Sequence, residues 1–200
     1  MGLKIYLMIS RNKDNKDIPS FKERTETILE YSENKDKILV KFYHFVTKGV
    51  PGEISRLYES VNDRDEDKIR KAFIAKLVTE EPSLVKLNNI ITSIAMRKEN
   101  ALEKKWMFDF DCKDKESLDR FLSELKSLDI TYIVHNTPNG YAIVTEHGFD
   151  TRELLEKFSD VDITLKRDDM LFVSILKKSD NIKYKHVNYS DYIKDGIFKV

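Results

Sequence analysis

Two carboxylates one residue apart, Asp109 and Asp111, stand on the strand-forming run Trp106-Met-Phe-Asp-Phe-Asp-Cys112. Alternate side chains of a strand share a face, so the aspartates point one way while Phe108 and Phe110 point the other. A pair of this kind can hold a divalent cation, Mg2+ or Mn2+. A metal there neutralises a triphosphate and lowers the pKa of an attacking hydroxyl. Asp109 and Asp111 are therefore the candidate catalytic and metal-binding residues. The competing structural account is a solvated face beside a buried Phe-x-Phe stripe.

Phosphate chemistry has further candidates. Arg56 and Arg64 can bind phosphate in a bidentate fork, and Asn62 lies between them. Arg64 also stands among Asp63, Asp65, Glu66 and Asp67, where a surface ion pair is the simpler account. Lys104 and Lys105 precede the Asp-x-Asp strand and can meet phosphate as point charges. Asn139-Gly140 reads either as a phosphate cradle or as a plain hairpin turn. Tyr132, Tyr141 and Phe149 are candidates for stacking on bases or for core packing.

The elements that must position these residues follow from periodicity. In the first half, residues 4–10 read as a strand, 11–18 as a polar loop or hairpin tip, 21–31 as a short helix and 37–46 as a strand. Val50-Pro-Gly52 is a turn, and 56–62 a further strand. Asp63 with Glu66 forms a capping box opening a helix to about Thr79, with Ile69, Ala72, Phe73 and Leu77 on one face. Glu80-Glu-Pro82 ends it, and 83–97 is a second helix with a broad apolar stripe. In the second half Asp114 caps a helix carrying Leu118, Phe121, Leu122, Leu125 and Leu128. Residues 131–136 and 141–145 are strands around Thr137-Pro-Asn-Gly140, a tight reversal. Asp150 with Glu153 caps a short helix through Phe158, and 161–166 with 170–176 form a last hairpin. The Lys- and Tyr-rich tail from Lys177 has little periodicity and reads as wrapping the surface.

These patterns give an α+β chain: an N-terminal mixed α/β lobe over 1–103 and a ferredoxin-like, RRM-like βαββαβ domain with its tail over 104–200. Lys plus Arg and Asp plus Glu both total 35, so no global field draws the chain to nucleic acid or lipid. The single cysteine, Cys112, excludes an internal disulfide and a thiolate zinc site, and fits a reducing cytoplasm. The N-terminal apolar run is too short for a secretory signal, and no run approaches a membrane span. The Asn188-Tyr-Ser190 sequon is accordingly not expected to carry glycan.

Phe108-Asp-Phe-Asp111, Thr137-Pro-Asn-Gly-Tyr141 opening the third strand, and an acidic position near the last hairpin together resemble the archaeo-eukaryotic primase and primase-polymerase superfamily. The resemblance covers about residues 104–176. It implies a palm similar to an RNA-recognition-motif fold, with an Asp-x-Asp pair and a third acid on metal. Asp162 is the metal-ligand candidate for that third acid, in competition with Asp168 and Asp169. The histidine expected after the turn is replaced by Ala142, and His135 lies before the turn as the nucleotide-contact candidate. Residues 56–64, the two helices after them and Lys104-Lys-Trp-Met-Phe-Asp-Phe-Asp111 also resemble uncharacterised proteins of large tailed phages.

Other chemistries fit poorly. Lys113 and Asp114 stand where a haloacid-dehalogenase-type phosphatase needs a small residue. Lys194-Asp-Gly196 is similar to a ligase lysine motif but lacks its intervening residue. The four histidines have no metal-ligand spacing, and there is no Gly-rich phosphate loop or nucleophile elbow. Two functions are expected: a phage-encoded, primase-polymerase-like nucleotidyltransferase or nucleic-acid-processing protein in the bacterial cytoplasm, or a catalytically inactive descendant. The descendant would bind a replication or host protein, or nucleic acid.

Overall fold

The computed structural model describes residues 2–179. In chain order the strands are β1 (Leu3–Ser10), β2 (Arg24–Tyr31), β3 (Ile54–Ser60), β4 (Trp106–Phe110), β5 (Tyr132–Asn136), β6 (Tyr141–Thr145), β7 (Ile163–Lys166) and β8 (Met170–Lys177). The helices are α1 (Lys35–Thr47), α2 (Glu66–Glu80), α3 (Leu87–Ala95), α4 (Lys115–Ser127) and α5 (Arg152–Lys157). The chain is mixed α+β and divides into two units. Among the described residues, one comprises 2–59, 64–100 and 172–179; the other comprises 60–63 and 101–171. The described residues after Leu171, 172–179, belong with the first unit.

The second unit holds the Asp-x-Asp strand. Its sheet runs β5-β6-β4-β7 with every neighbouring pair antiparallel, so β4 lies inside it. Asp114 starts α4 as expected, accepting from the amides of Glu116 and Ser117 at 3.1 and 3.2 Å. Those two bonds use donors that a helix start leaves unsatisfied. Leu118, Phe121 and Leu125 then recur on one face and are buried, with Leu122 partly so. They pack with Phe108 and Phe110 of β4, Ile143 of β6, and Leu154 and Phe158 at α5, so both helices cover one face of the sheet. Phe121 is the centre of this core, its ring edge-on to Phe108, Phe110 and Phe158 at 5.1, 4.9 and 5.1 Å. On the opposite face a smaller cluster joins Met107, Ala142 and Val144 to Val61 and Leu171.

Two expectations in this half are corrected. Helix α5 starts one residue later than expected, with Thr151 at its N-cap, while the Asp150 side chain accepts from the amide of Arg152 at 3.2 Å and from its guanidinium. The last hairpin does not form: β7 pairs with β4 from Met107↔Lys166 to Phe110↔Ile163, while β8 joins the sheet of the first unit.

That first sheet runs β2-β1-β3-β8. The segment expected as a helix at 21–31 is β2, paired with β1 along its whole length from Leu3↔Tyr31 to Ser10↔Arg24. Its β-branched Thr25, Thr27 and Ile28 suit that pleated surface. The strand expected at 37–46 is helix α1, whose buried Ile38, Phe42, Phe45 and Val46 follow helical spacing and close over Tyr6, Met8 and Leu57. Helix α2 is capped by Asp65, which accepts from the Lys68 amide at 3.0 Å, rather than by Asp63. The second helix is shorter than expected, because Leu84–Lys86 forms a 3-10 turn before α3. The tail after Ser179, with the Asn188-Tyr-Ser190 sequon and Lys194-Asp-Gly196, lies outside the described residues.

Candidate functional site

Asp109 projects from the face of β4 opposite Phe108 and Phe110, with Ala142 of β6 and Thr164 of β7 directly across from it. Asp111 follows the end of β4 and is exposed. Its amide donates to the carbonyl of Asp162 at 3.1 Å, which carries the β4–β7 ladder one step past Phe110↔Ile163. Asp162 therefore stands opposite Asp111, and cross-strand partners share a face. The structure thus gathers all three sequence-predicted metal ligands at one end of one sheet.

The β5–β6 turn closes over this end. Thr137 N donates to Gly140 O at 2.9 Å, and Gly140 N donates to Thr137 Oγ1 at 3.1 Å. The Gly140 amide is thereby used within the turn, which is the arrangement of a hairpin rather than of a phosphate cradle. Asn139 at the tip is exposed. His135 on β5 is opposite Ala142, which is itself opposite Asp109. His135 and Asp109 thus share a face, about 10 Å apart at the backbone, two inter-strand spacings. Between them Ala142 is buried, packed with Val61 and Leu171.

One cation in this site was not foreseen. Lys166, on β7 and on the same face, places its Nζ 2.8 Å from Asp109 Oδ2 and 3.5 Å from Asp169 Oδ2. Burial alone would pull the Lys166 pKa down, but the hydrogen bond and charge of Asp109, aided by Asp169, raise it above the ordinary lysine value. The ammonium is thus firmly charged where a cation is wanted. Asp109 is thus ion-paired with Lys166 in this structure. Among the described residues no group of three or more His, Cys, Asp or Glu side chains is arranged to hold a metal ion.

The remaining candidates take structural partners. Arg56 meets Asp14 with a two-pronged fork, Nε to Oδ2 at 2.8 Å and an outer nitrogen to Oδ1 at 2.6 Å. Arg11 grips the same carboxylate at 2.9 and 3.3 Å. Burial raises the Asp14 pKa, but the two guanidiniums outweigh it and hold the carboxyl below its usual range. Arg64 is buried, and its amide donates to Leu3 O at 2.6 Å. Asn62 is buried and holds the backbone of Lys105 with its side-chain amide. Lys105 pairs with Glu103 at 2.7 Å, and Lys104 is exposed. Tyr132, Tyr141 and Phe149 pack against the Phe108–Phe121 core, so base stacking is not their placement.

Lys166 could have been found in the sequence by pairing β7 with β4, which puts Asp109, Thr164 and Lys166 on one face. A buried network in the first unit gave no comparable signal. Glu53 accepts from Ser10 Oγ at 2.5 Å, the Val50 amide at 2.8 Å and the Arg24 guanidinium, and Ser10 Oγ lies 2.8 Å from Ser55 Oγ. It ties β1, β2 and the turn before β3 together. No protein-family model matches the chain, and no curated protein matches it.

Proposed function

We propose that this chain is a metal-independent binding protein whose partner is another protein, and that its second unit is a ferredoxin-like βαββαβ module. The order β5-β6-β4-β7, with the first strand of the unit between its third and fourth and both helices on one face, supports the ferredoxin-like assignment. The observation that carries the functional reading is the Lys166–Asp109 pair at 2.8 Å, which puts a protein amine where the metal reading needs an ion. Loss of the expected histidine at Ala142 points the same way.

Charge and surface favour a protein over a nucleic acid. The charge is balanced, and the arginines best suited to phosphate, Arg56 and Arg64, are buried. The sheet face bearing Asp109 carries Met107, Ala142, Val144 and Thr164 alongside His135, and its strand residues include none of the Phe, Tyr or Trp rings on which an RNA-binding sheet of this type chiefly stacks bases. Edge strand β5 exposes Ile133, and Leu128 nearby in sequence is also exposed, which suits apolar contact. Among the described residues no helix is long and apolar enough to cross a membrane. The resemblance to tailed-phage proteins makes a phage or host protein in the bacterial cytoplasm the partner class.

The second reading is the metal-dependent nucleotidyltransferase, favoured by the placement of Asp162 opposite Asp111. Thermal melts in millimolar Mg2+ or Mn2+ with nucleoside triphosphate separate the two, since an ion that binds only the folded state raises the melting temperature by mass action. The wild type is expected to show no saturable shift. A saturable shift that disappears in Asp109→Asn with Asp111→Asn would overturn the binding reading.

A further inference from the structure

Strand β2 is an edge strand, paired with β1 on one side only. Its other side opens into a groove of about 1200 Å³ whose floor is Thr25 to Leu29 and whose walls come from α1 and α3. The two walls differ in chemistry. Helix α1 and its C-cap contribute Lys41, His44 and Lys48, spaced so that they fall on one helical stripe. Helix α3 contributes Asn88, Asn89 and Thr92 among its lining side chains, with Ile91 and Met96.

The walls also lie on different sides of the sheet. Ile28 packs with Phe42 in the core under α1, and Glu30, on the same face of β2, pairs with Lys37 at 2.6 Å. Tyr31 points the other way and donates to Glu66 of α2, the helix against which α3 packs. The groove is thus a slot that prolongs the plane of the sheet between two helices. Among the described residues, no backbone hydrogen bond beyond the β1 ladder engages Thr25 to Leu29. An unpaired row of amides and carbonyls is a template for one more strand.

We propose that this slot captures an extended peptide segment of a partner protein by strand addition to β2, and that the segment carries acidic side chains at alternate positions. Backbone pairing supplies the affinity of such a complex and the alternating side chains its selectivity. In the captured strand every second side chain turns to the α1 wall, where Lys37, Lys41 and Lys48 outnumber the carboxylates of Glu26 and Glu30, the latter shared between Lys37 at 2.6 Å and Lys41 at 3.7 Å. The intervening ones turn to the amides, hydroxyl and apolar side chains of α3. A second copy of this chain fits less well, because its own β2 would bring both of its helical walls with it. The proposal deepens the protein-binding reading and rests on it, but it uses the other unit and none of the residues around Asp109.

The test is fluorescence polarisation with a labelled peptide, Glu-Val-Glu-Thr-Glu-Val-Glu-Thr, against the full chain. Alternate backbone N-methylation, which removes amide donors and leaves the side chains, is expected to weaken binding at least about tenfold. The variant carrying Lys41→Glu and Lys48→Glu is expected to lose the Glu peptide and to gain the matching Lys peptide, which shows that it is folded. Absence of binding by the wild type, or binding indifferent to N-methylation, would overturn the proposal. So would a concentration-dependent dimer in sedimentation that the double variant abolishes, since the edge would then belong to a second copy. A positive metal titration of the carboxylate end would remove the metal-independent reading while leaving this binding result intact.

Discussion

A Cβ at Gly140 would stand 2.0 Å from the carbonyl oxygen of Phe110 and 2.5 Å from that of Cys112. The β5–β6 turn therefore rests directly on the backbone that carries Asp111, and only a residue without a side chain permits the approach.

Gly140→Ala is expected to destabilise the protein by about 1–3 kcal/mol, the usual cost of forcing an extra carbon into packed structure. Backbone on the far side of the contact cannot rotate away as a flexible side chain would. Gly52→Ala is the comparison, since Gly52 has φ +83° and nothing within 4 Å of its Cβ position, so its cost is conformational alone. Urea unfolding measures both losses. Amide exchange separates them: only the Gly140 variant should loosen protection at residues 110–112.

Acid sensitivity has a defined source in the first unit. Lys37, 2.6 Å from Glu30, together with Asn34 and the Tyr31 amide, outweighs burial and holds the Glu30 carboxyl at about 2 instead of 4.5. A carboxyl depressed in the folded state contributes stability that is complete above its unfolded pKa and is lost as pH falls through the folded one. That window runs from 4.5 down to about 2. Glu30→Gln is expected to melt lower than the wild type at pH 7, with the gap closing across that window. Melting curves that stay parallel from pH 7 to pH 2 would show that Glu30 contributes no such term.

Legibility in the sequence followed locality. The β4–α4 unit could be read because Asp114 caps it and Leu118, Phe121 and Leu125 repeat without interruption. The turn at Gly140 was equally plain. Residues 21–31 and 37–46 exchanged their expected types for a different reason. Ile38, Val40, Phe42, Tyr43, Phe45 and Val46 are individually strand formers, yet burial over the β1–β3 sheet selects positions 38, 42 and 45–46, which is helical spacing. Propensity yielded there to tertiary packing. The carboxylate end was legible as a set of residues, Asp109, Asp111 and Asp162, but not as an electrostatic balance. Lys166 enters only through the pairing of β7 with β4, a non-local choice that the turn residues between β7 and β8 did not reveal.

Asn62 offers the sharpest separation of a structural from a ligand-binding role. It is 1% exposed; its Oδ1 accepts from Lys105 N at 2.8 Å while Nδ2 donates to Lys105 O at 3.2 Å and to Asp168 Oδ1 at 3.1 Å. The side chain thus stands in for a neighbouring strand just before β4 begins. Asn62→Ala leaves the part-buried backbone N–H and C=O of Lys105 without this partner and is expected to cost about 1–3 kcal/mol. Asn62→Asp keeps the acceptor but sets a second carboxylate against Asp168, so at pH 7 it should cost more than the alanine change. Like charges in contact disfavour ionisation, so acidification should protonate the new side chain, restore a donor and return part of that loss. Urea unfolding at pH 7 and near pH 4 measures both terms. Unchanged stability in both variants would return Asn62 to the ligand-binding candidates.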